Sequence, residues 1–165
     1  MHKFIIFILL LLTFNVWSQV PSPTPFVKPV PAKNSGVTDW EVLLGLDLKT
    51  GKADAKVEKI LGKKIKLLGF MVPLDYDDRS IKEFMLLPTP LSCTHVPPPP
   101  QNQIILVKMK KGTKGAYFWG PVYTEGIITA AKKDKNMTEV PSYEMVGESI
   151  VEYKATDGSV KVHNN

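Results

Sequence analysis

From Lys64 the chain reads Lys-Ile-Lys-Leu-Leu-Gly-Phe-Met-Val72, alternating polar and apolar positions at first and then running continuously apolar. A period of two marks a strand with one buried face, and the apolar continuation is that of a strand entering a closed sheet. Gly69 within it marks a bend or bulge. Glu83-Phe-Met-Leu-Leu87 predicts a second strand, ended by Pro88 and Pro90, and Gln103 to Met109 predicts a third. Tyr117 to Thr129 predicts a fourth, with Pro121 and Gly126 marking an edge or a bend, and Tyr143 to Tyr153 holds a fifth. Ser159 to Val162 offers a short extension of the sheet. Upstream of Gly62 the period is helical instead. Thr38 or Asp39 caps a short helix carrying Trp40, Leu43 and Leu44, which Gly45 stops. Asp54 caps another, with Val57, Ile60 and Leu61 on one face and Gly62 at its end. The expected fold is therefore mainly β: a small OB-like five-stranded barrel preceded by two short helices. A β-sandwich is the alternative. Ile65, Leu67, Phe84, Leu86, Ile105 and Val107 are the expected interior, with Trp40 as a core anchor.

The ends of the chain carry a different pattern. Residues 1–18 read as a secretory signal peptide: His2 and Lys3 start it, Phe4 to Phe14 form an apolar run, and Val16 and Ser18 are small enough for cleavage before Gln19. The run is shorter than the roughly 20 apolar residues that span a bilayer, so no transmembrane segment is expected in the mature chain. The expected location is periplasmic or extracellular. Residues 19–37 hold Pro21, Pro23, Pro25, Pro29 and Pro31 and read as a proline-rich linker. Residues 38–165 read as one domain, large enough to fold without disulfides. With a single cysteine it forms no internal disulfide.

The net charge of +5 falls by one when Lys3 leaves with the signal. Lys108, Lys110, Lys111 and Lys114 form one basic cluster; Lys132, Lys133 and Lys135 form another. Solvated lysines on turns are the expected reading, ahead of an anionic membrane or an acidic partner. Nucleic acid is not an expected partner, because no aromatic–basic interleaving accompanies an export signal. The Asn136-Met-Thr138 triplet matches a glycosylation acceptor only in a glycosylating host.

The densest chemistry lies in Cys93-Thr-His-Val-Pro-Pro-Pro-Pro-Gln-Asn-Gln103. Two residues apart on an extended segment, the Cys93 thiol and His95 imidazole project to the same side. Pro97, Pro98, Pro99 and Pro100 follow as a stiff polyproline II strut. Thiolate and neutral imidazole are ligands for Zn²⁺ or, as the lesser choice, copper. Asp75, directly after the first strand, is the first candidate for a third ligand. Asp77, Asp78, Glu83 and Glu125, the thioethers of Met71 and Met85, and His163 are further candidates. A nucleophilic Cys93 with His95 as base is disfavoured, because prolines supply no N–H groups for an oxyanion hole. The chain is accordingly expected not to be an enzyme. The second reading takes the strut itself as a contact surface for a protein or peptide, with Pro97 to Pro100, Asn102 and Gln103 as its residues and Tyr76 and Trp119 as nearby aromatics.

Gly62-Lys63-Lys64, Gly69 to Leu74, Phe84 to Pro88, Ser92 to Gln103 and Pro121-Val122 with Gly126 together resemble an uncharacterised domain-of-unknown-function family of exported bacterial proteins. Its mark is a Cys-x-His-x-Pro-Pro-Pro-Pro-x-Asn-Gln run, matched here by Cys93, His95, Pro97 to Pro100, Asn102 and Gln103. The resemblance covers Trp40 to Thr129. It implies an accessory role in the cell envelope beside an ABC transporter, and it implies no defined activity. The functional expectation is an exported metal-binding accessory or carrier, with a peptide-binding module as the alternative.

Overall fold

The computed structural model describes residues 36–74, 80–90, 98–113, 115–131 and 141–154. The expected signal peptide, most of the linker, the 159–162 extension, Lys132, Lys133, Lys135 and the Asn136 triplet lie outside the described residues. No helix among the described residues is long and apolar enough to cross a membrane.

Two short helices come first. Helix α1 spans Trp40–Leu43, with the Asp39 carboxylate accepting from Glu41 N. Helix α2 spans Ala55–Ile60, and Asp54 accepts from both Lys56 N and Val57 N. Each aspartate satisfies orphan N–H groups of the first turn, which is why helix begins there. Strands β1 (Lys64–Pro73), β2 (Glu83–Leu87), β3 (Ile105–Met109), β4 (Pro121–Ala130) and β5 (Tyr143–Glu152) follow. They close into a barrel in the order β1-β2-β3-β5-β4, with β4 pairing back onto β1. Neighbours are antiparallel except β3 and β5, which run parallel. The architecture is the OB-like barrel read from the pattern.

Alternation along each strand fills the inside. Leu67, Phe84, Leu86, Ile105 and Val107 are fully buried and Ile65 nearly so, joined by Val122, Ile128, Tyr143 and Met145. Each large apolar side chain removed from water contributes about 1.5–3 kcal/mol. Strand β1 departs from alternation where its sequence does: Leu68 and Phe70, on the opposite face to Leu67 and Met71, are buried as well.

Gly69 answers a close approach rather than a bulge. A Cβ there would sit 2.6 Å from Leu87 O and 3.0 Å from Trp40 Cζ2. The missing side chain makes room for the Trp40 ring, whose Nε1 donates to Leu68 O at 2.7 Å. Trp40 thus serves as the expected core anchor, at 5% exposure. The bulge falls at Gly126, where the register moves from Glu125↔Ser149 to Gly126↔Gly147 and leaves Glu148 as the extra residue. Two strands start later than their patterns suggest. Residues Gln101–Gln103 form a 3₁₀ turn before β3, and β4 begins at Pro121, after Tyr117 and Phe118 have packed against the core.

Candidate functional site

Tetraproline arrives at the helix-bearing end of the barrel. Pro98 and Pro100 are exposed and Pro99 is half-buried. Pro100 has φ −64° and ψ 156°, within the polyproline II region. Gln103 N then donates to Pro100 O at 2.7 Å and Ile104 N to Gln101 O at 3.2 Å, turning the chain into β3.

Asn102 holds this turn in place. It is 7% exposed, and its Nδ2 donates to Leu44 O at 3.2 Å and Leu46 O at 3.1 Å. Both carbonyls lie past the last residue of α1, where a helix leaves acceptors without intrahelical donors. Gln103 Nε2 adds a longer bond to Trp40 O at 3.4 Å. Ser142 N, at the start of β5, donates to Gln101 O at 3.1 Å. The downstream end of the proline run is therefore tied to α1 on one side and to the β4–β5 connection on the other. Asn102 Oδ1 is buried with no donor, an arrangement that fixes which way the amide faces because both carbonyl partners demand N–H groups. Asn102 and Gln103, expected as contact residues, spend their amide N–H groups on α1. Among the described prolines, Pro98 and Pro100 are the exposed ones.

Tyr143 reinforces the same end. Its hydroxyl donates to Leu43 O at 2.8 Å across a fully buried ring. Burial, with the nearby Asp54 charge adding, pushes its ionisation above the ordinary phenol range. It is a structural donor at any physiological pH.

Cys93, His95, Asp75 and Pro97 lie outside the described residues, as do Tyr76, Asp77, Asp78 and His163. The described flanks still bear on the expected ligand set. Asp75 follows Leu74, whose N–H donates to Glu83 O at the start of β2. The segment leading to Cys93 departs from Leu87, at the other end of that strand. Five strand residues separate these anchors by about 14 Å. Of the remaining candidates, Glu83, Glu125 and Met71 are committed elsewhere. Glu83 is 3.8 Å from Lys108, Glu125 pairs with Lys66 at 3.3 Å and Lys64 at 3.7 Å, and Met71 belongs to the core. Among the described residues no three His, Cys, Asp or Glu side chains come together.

A feature that periodicity does not disclose lies on the outer face of β1 and β4. Gly36, Thr38, Lys64, Ile65, Lys66 and Glu125 line a shallow cleft of about 370 Å³. Lys64 reaches Glu148 at 2.9 Å, and Lys66 stands 4.7 Å over the Tyr123 ring. The Glu148 carboxylate, then Glu125, raises the Lys64 pKa, and Lys64 lowers that of Glu148. Lys110 also acts on Glu148, so two carboxylates and their lysines form a solvated ion-pair network. The only signal for it in the sequence is the Lys64/Lys66 alternation; Glu148 joins through the bulge.

Comparison with known proteins follows this geometry closely in extent. A model of the family described as "Protein of unknown function (DUF3299)" matches residues 46–152. The match runs past Thr129, where the motif resemblance ends, and so includes β5. A crystal structure of a DUF3299 family protein from Pseudomonas aeruginosa PAO1 is similar at 29% identity, covering 64% of this chain and 68% of that one with a TM-score of 0.48. No curated protein matches. With the family model spanning all five strands and the anchored turn, this chain belongs to the DUF3299 family.

Proposed function

We propose that the chain is an exported, non-enzymatic accessory or carrier that binds a transition metal, Zn²⁺ ahead of copper, through Cys93 and His95. Asp75 is the third ligand, and an envelope ABC transporter is the partner served. One observation carries this reading: the run that holds both soft ligands ends on a buried, doubly bonded Asn102. A ligand pair leaving a stiff, anchored strut loses less conformational entropy on closing around an ion than one on a free loop. Thiolate and imidazole must both be deprotonated, so affinity falls as pH falls. The protein stripped of metal and titrated with zinc and with copper tests it. Binding tighter than that of a Cys93→Ser, His95→Ala double variant is expected; equal binding ends the metal reading.

The exposure of Pro98 and Pro100, on a run whose Asn102 bonds the carbonyl of half-exposed Leu44, favours a second reading. These side chains offer an apolar ledge to a protein or peptide partner, rigid before docking. Pull-down from an envelope extract separates the two. Under the metal reading Cys93→Ser abolishes capture and Pro98→Ala/Pro99→Ala merely weakens it; under the ledge reading the order reverses.

A further inference from the structure

The end of the barrel opposite the helices carries the β3–β4 connection, described over residues 110–113 and 115–120. Ile81 N donates to Gly115 O at 3.0 Å, Lys110 N to Gly147 O at 2.8 Å, and Thr113 N to Lys110 O at 2.9 Å. Tyr117 and Phe118 turn inward and pack against the core. Trp119 does the reverse. It is 90% exposed, with the Tyr117 ring against its edge, centroids 5.2 Å apart at 74°. A large aromatic held out just after two core-packed residues keeps most of its apolar area in water. Leu74, at the same end, is 47% exposed, and Lys110 and Lys111 on the same connection are exposed.

We propose that this end of the barrel docks on an anionic phospholipid bilayer, with Trp119 entering the headgroup region and Lys110 and Lys111 meeting lipid phosphates. Tryptophan suits that boundary because its ring is apolar and its N–H stays hydrated. A projecting ring needs a deformable partner and no preformed pocket, which a bilayer supplies. The lysines give the charge complementarity. Opposing charge at this end comes from exposed Glu152 and from Glu148, whose carboxylate is acted on by Lys110 as well as by Lys64. Glu83 is matched by Lys108. Exposed Lys82 and Lys154 at this end add to Lys110 and Lys111, so the described residues leave a small cationic excess, and the association is weak and salt-sensitive.

Sedimentation with vesicles of mixed phosphatidylglycerol and phosphatidylcholine, against vesicles of phosphatidylcholine alone, tests the proposal. The wild-type chain is expected to pellet with the anionic vesicles, less so in added salt, with a blue shift of tryptophan emission. Burying about 60 Å² of ring corresponds to tenfold in partitioning, so Trp119→Ala should lose at least tenfold and the blue shift. Trp119→Phe should retain part of the binding. Lys110→Ala and Lys111→Ala should each lose about fivefold. Thermal midpoints should stay at the wild-type value, since none of these side chains is buried. Residues 1–19, if present, are common to all variants and cancel in the comparison. No pelleting of wild type, equal binding to uncharged vesicles, or undiminished binding of Trp119→Ala would each overturn the proposal.

Discussion

Replacing Asn102 by aspartate probes the anchored turn with almost no change of shape. The wild-type amide gives both protons to Leu44 O and Leu46 O, and its oxygen meets no donor. Asn102→Asp removes those protons and leaves a carboxyl facing two carbonyl oxygens. Two lost N–H···O bonds cost about 1 kcal/mol each. Charge burial costs more. If the folded-state pKa of the introduced carboxyl rises by roughly 3 units above its unfolded value near 3.9, the penalty is about 4 kcal/mol at neutral pH. Together these approach the whole stability of a small domain. The direction with pH follows from proton linkage. The folded state binds the new proton more tightly than the unfolded state, so the charge penalty is absent below about pH 4 and grows as pH rises toward about 7. Asn102→Ala loses the same two bonds but also removes the orphan oxygen, so its deficit should be about 1–2 kcal/mol and independent of pH. Urea unfolding of the three proteins across that range measures both quantities. An Asn102→Asp variant as stable as wild type at neutral pH, or one whose deficit does not grow with pH, would mean that the amide does not face those carbonyls. The anchored-strut argument would fall with it.

Tyr143→Phe should cost about 1 kcal/mol in urea unfolding, because it removes the buried 2.8 Å bond to Leu43 O and leaves that carbonyl only the longer bond from Leu46 N at 3.4 Å. Gly69→Ala should destabilise by about 1–3 kcal/mol and alter the near-UV signal of Trp40, since the new methyl meets Leu87 O and the indole ring. Glu148 has its pKa lowered by Lys64; stability from this pair is present above the ordinary carboxylate range and lost as pH falls through the lowered value. Lys64→Ala should flatten that acid limb in a pH series of thermal midpoints, with high salt doing the same to the wild type.

What the sequence discloses and what it hides divide along physical lines. Period-two alternation finds β2 at its observed bounds because Pro88 punctuates its end. The same reading starts β3 too early, at Gln103, because the 3₁₀ turn there depends on Asn102 reaching Leu44, 58 residues away. No local pattern carries such a contact. Gly69 is legible as special, but only the arrival of Trp40 tells close approach from bulge. The chemistry of Cys93 and His95 is legible from residue type and spacing alone. That Asn102 and Gln103 turn inward is not, because their direction is set by carbonyls that α1 leaves open. Trp119, expected as an aromatic near the proline strut, instead stands at the opposite end of the barrel, because β4 begins only at Pro121 and its first residues lie at the end away from β3's start.

The strand order has a consequence for how the barrel forms. Strand β5 is the last of the five and pairs with both β3 and β4. Until residue 152 is available, β3 and β4 each present an open edge of N–H and C=O groups. Closure waits on pairings between parts of the chain far apart in sequence, β1 with β4 and β3 with β5, which places the fold among slow, high contact-order topologies. A partly emerged chain is therefore a template for edge-to-edge aggregation, whereas the closed barrel offers no edge at all. Truncation within β5 should convert a monomer-competent barrel into an aggregating one even where every interior residue of β1 to β4 is retained.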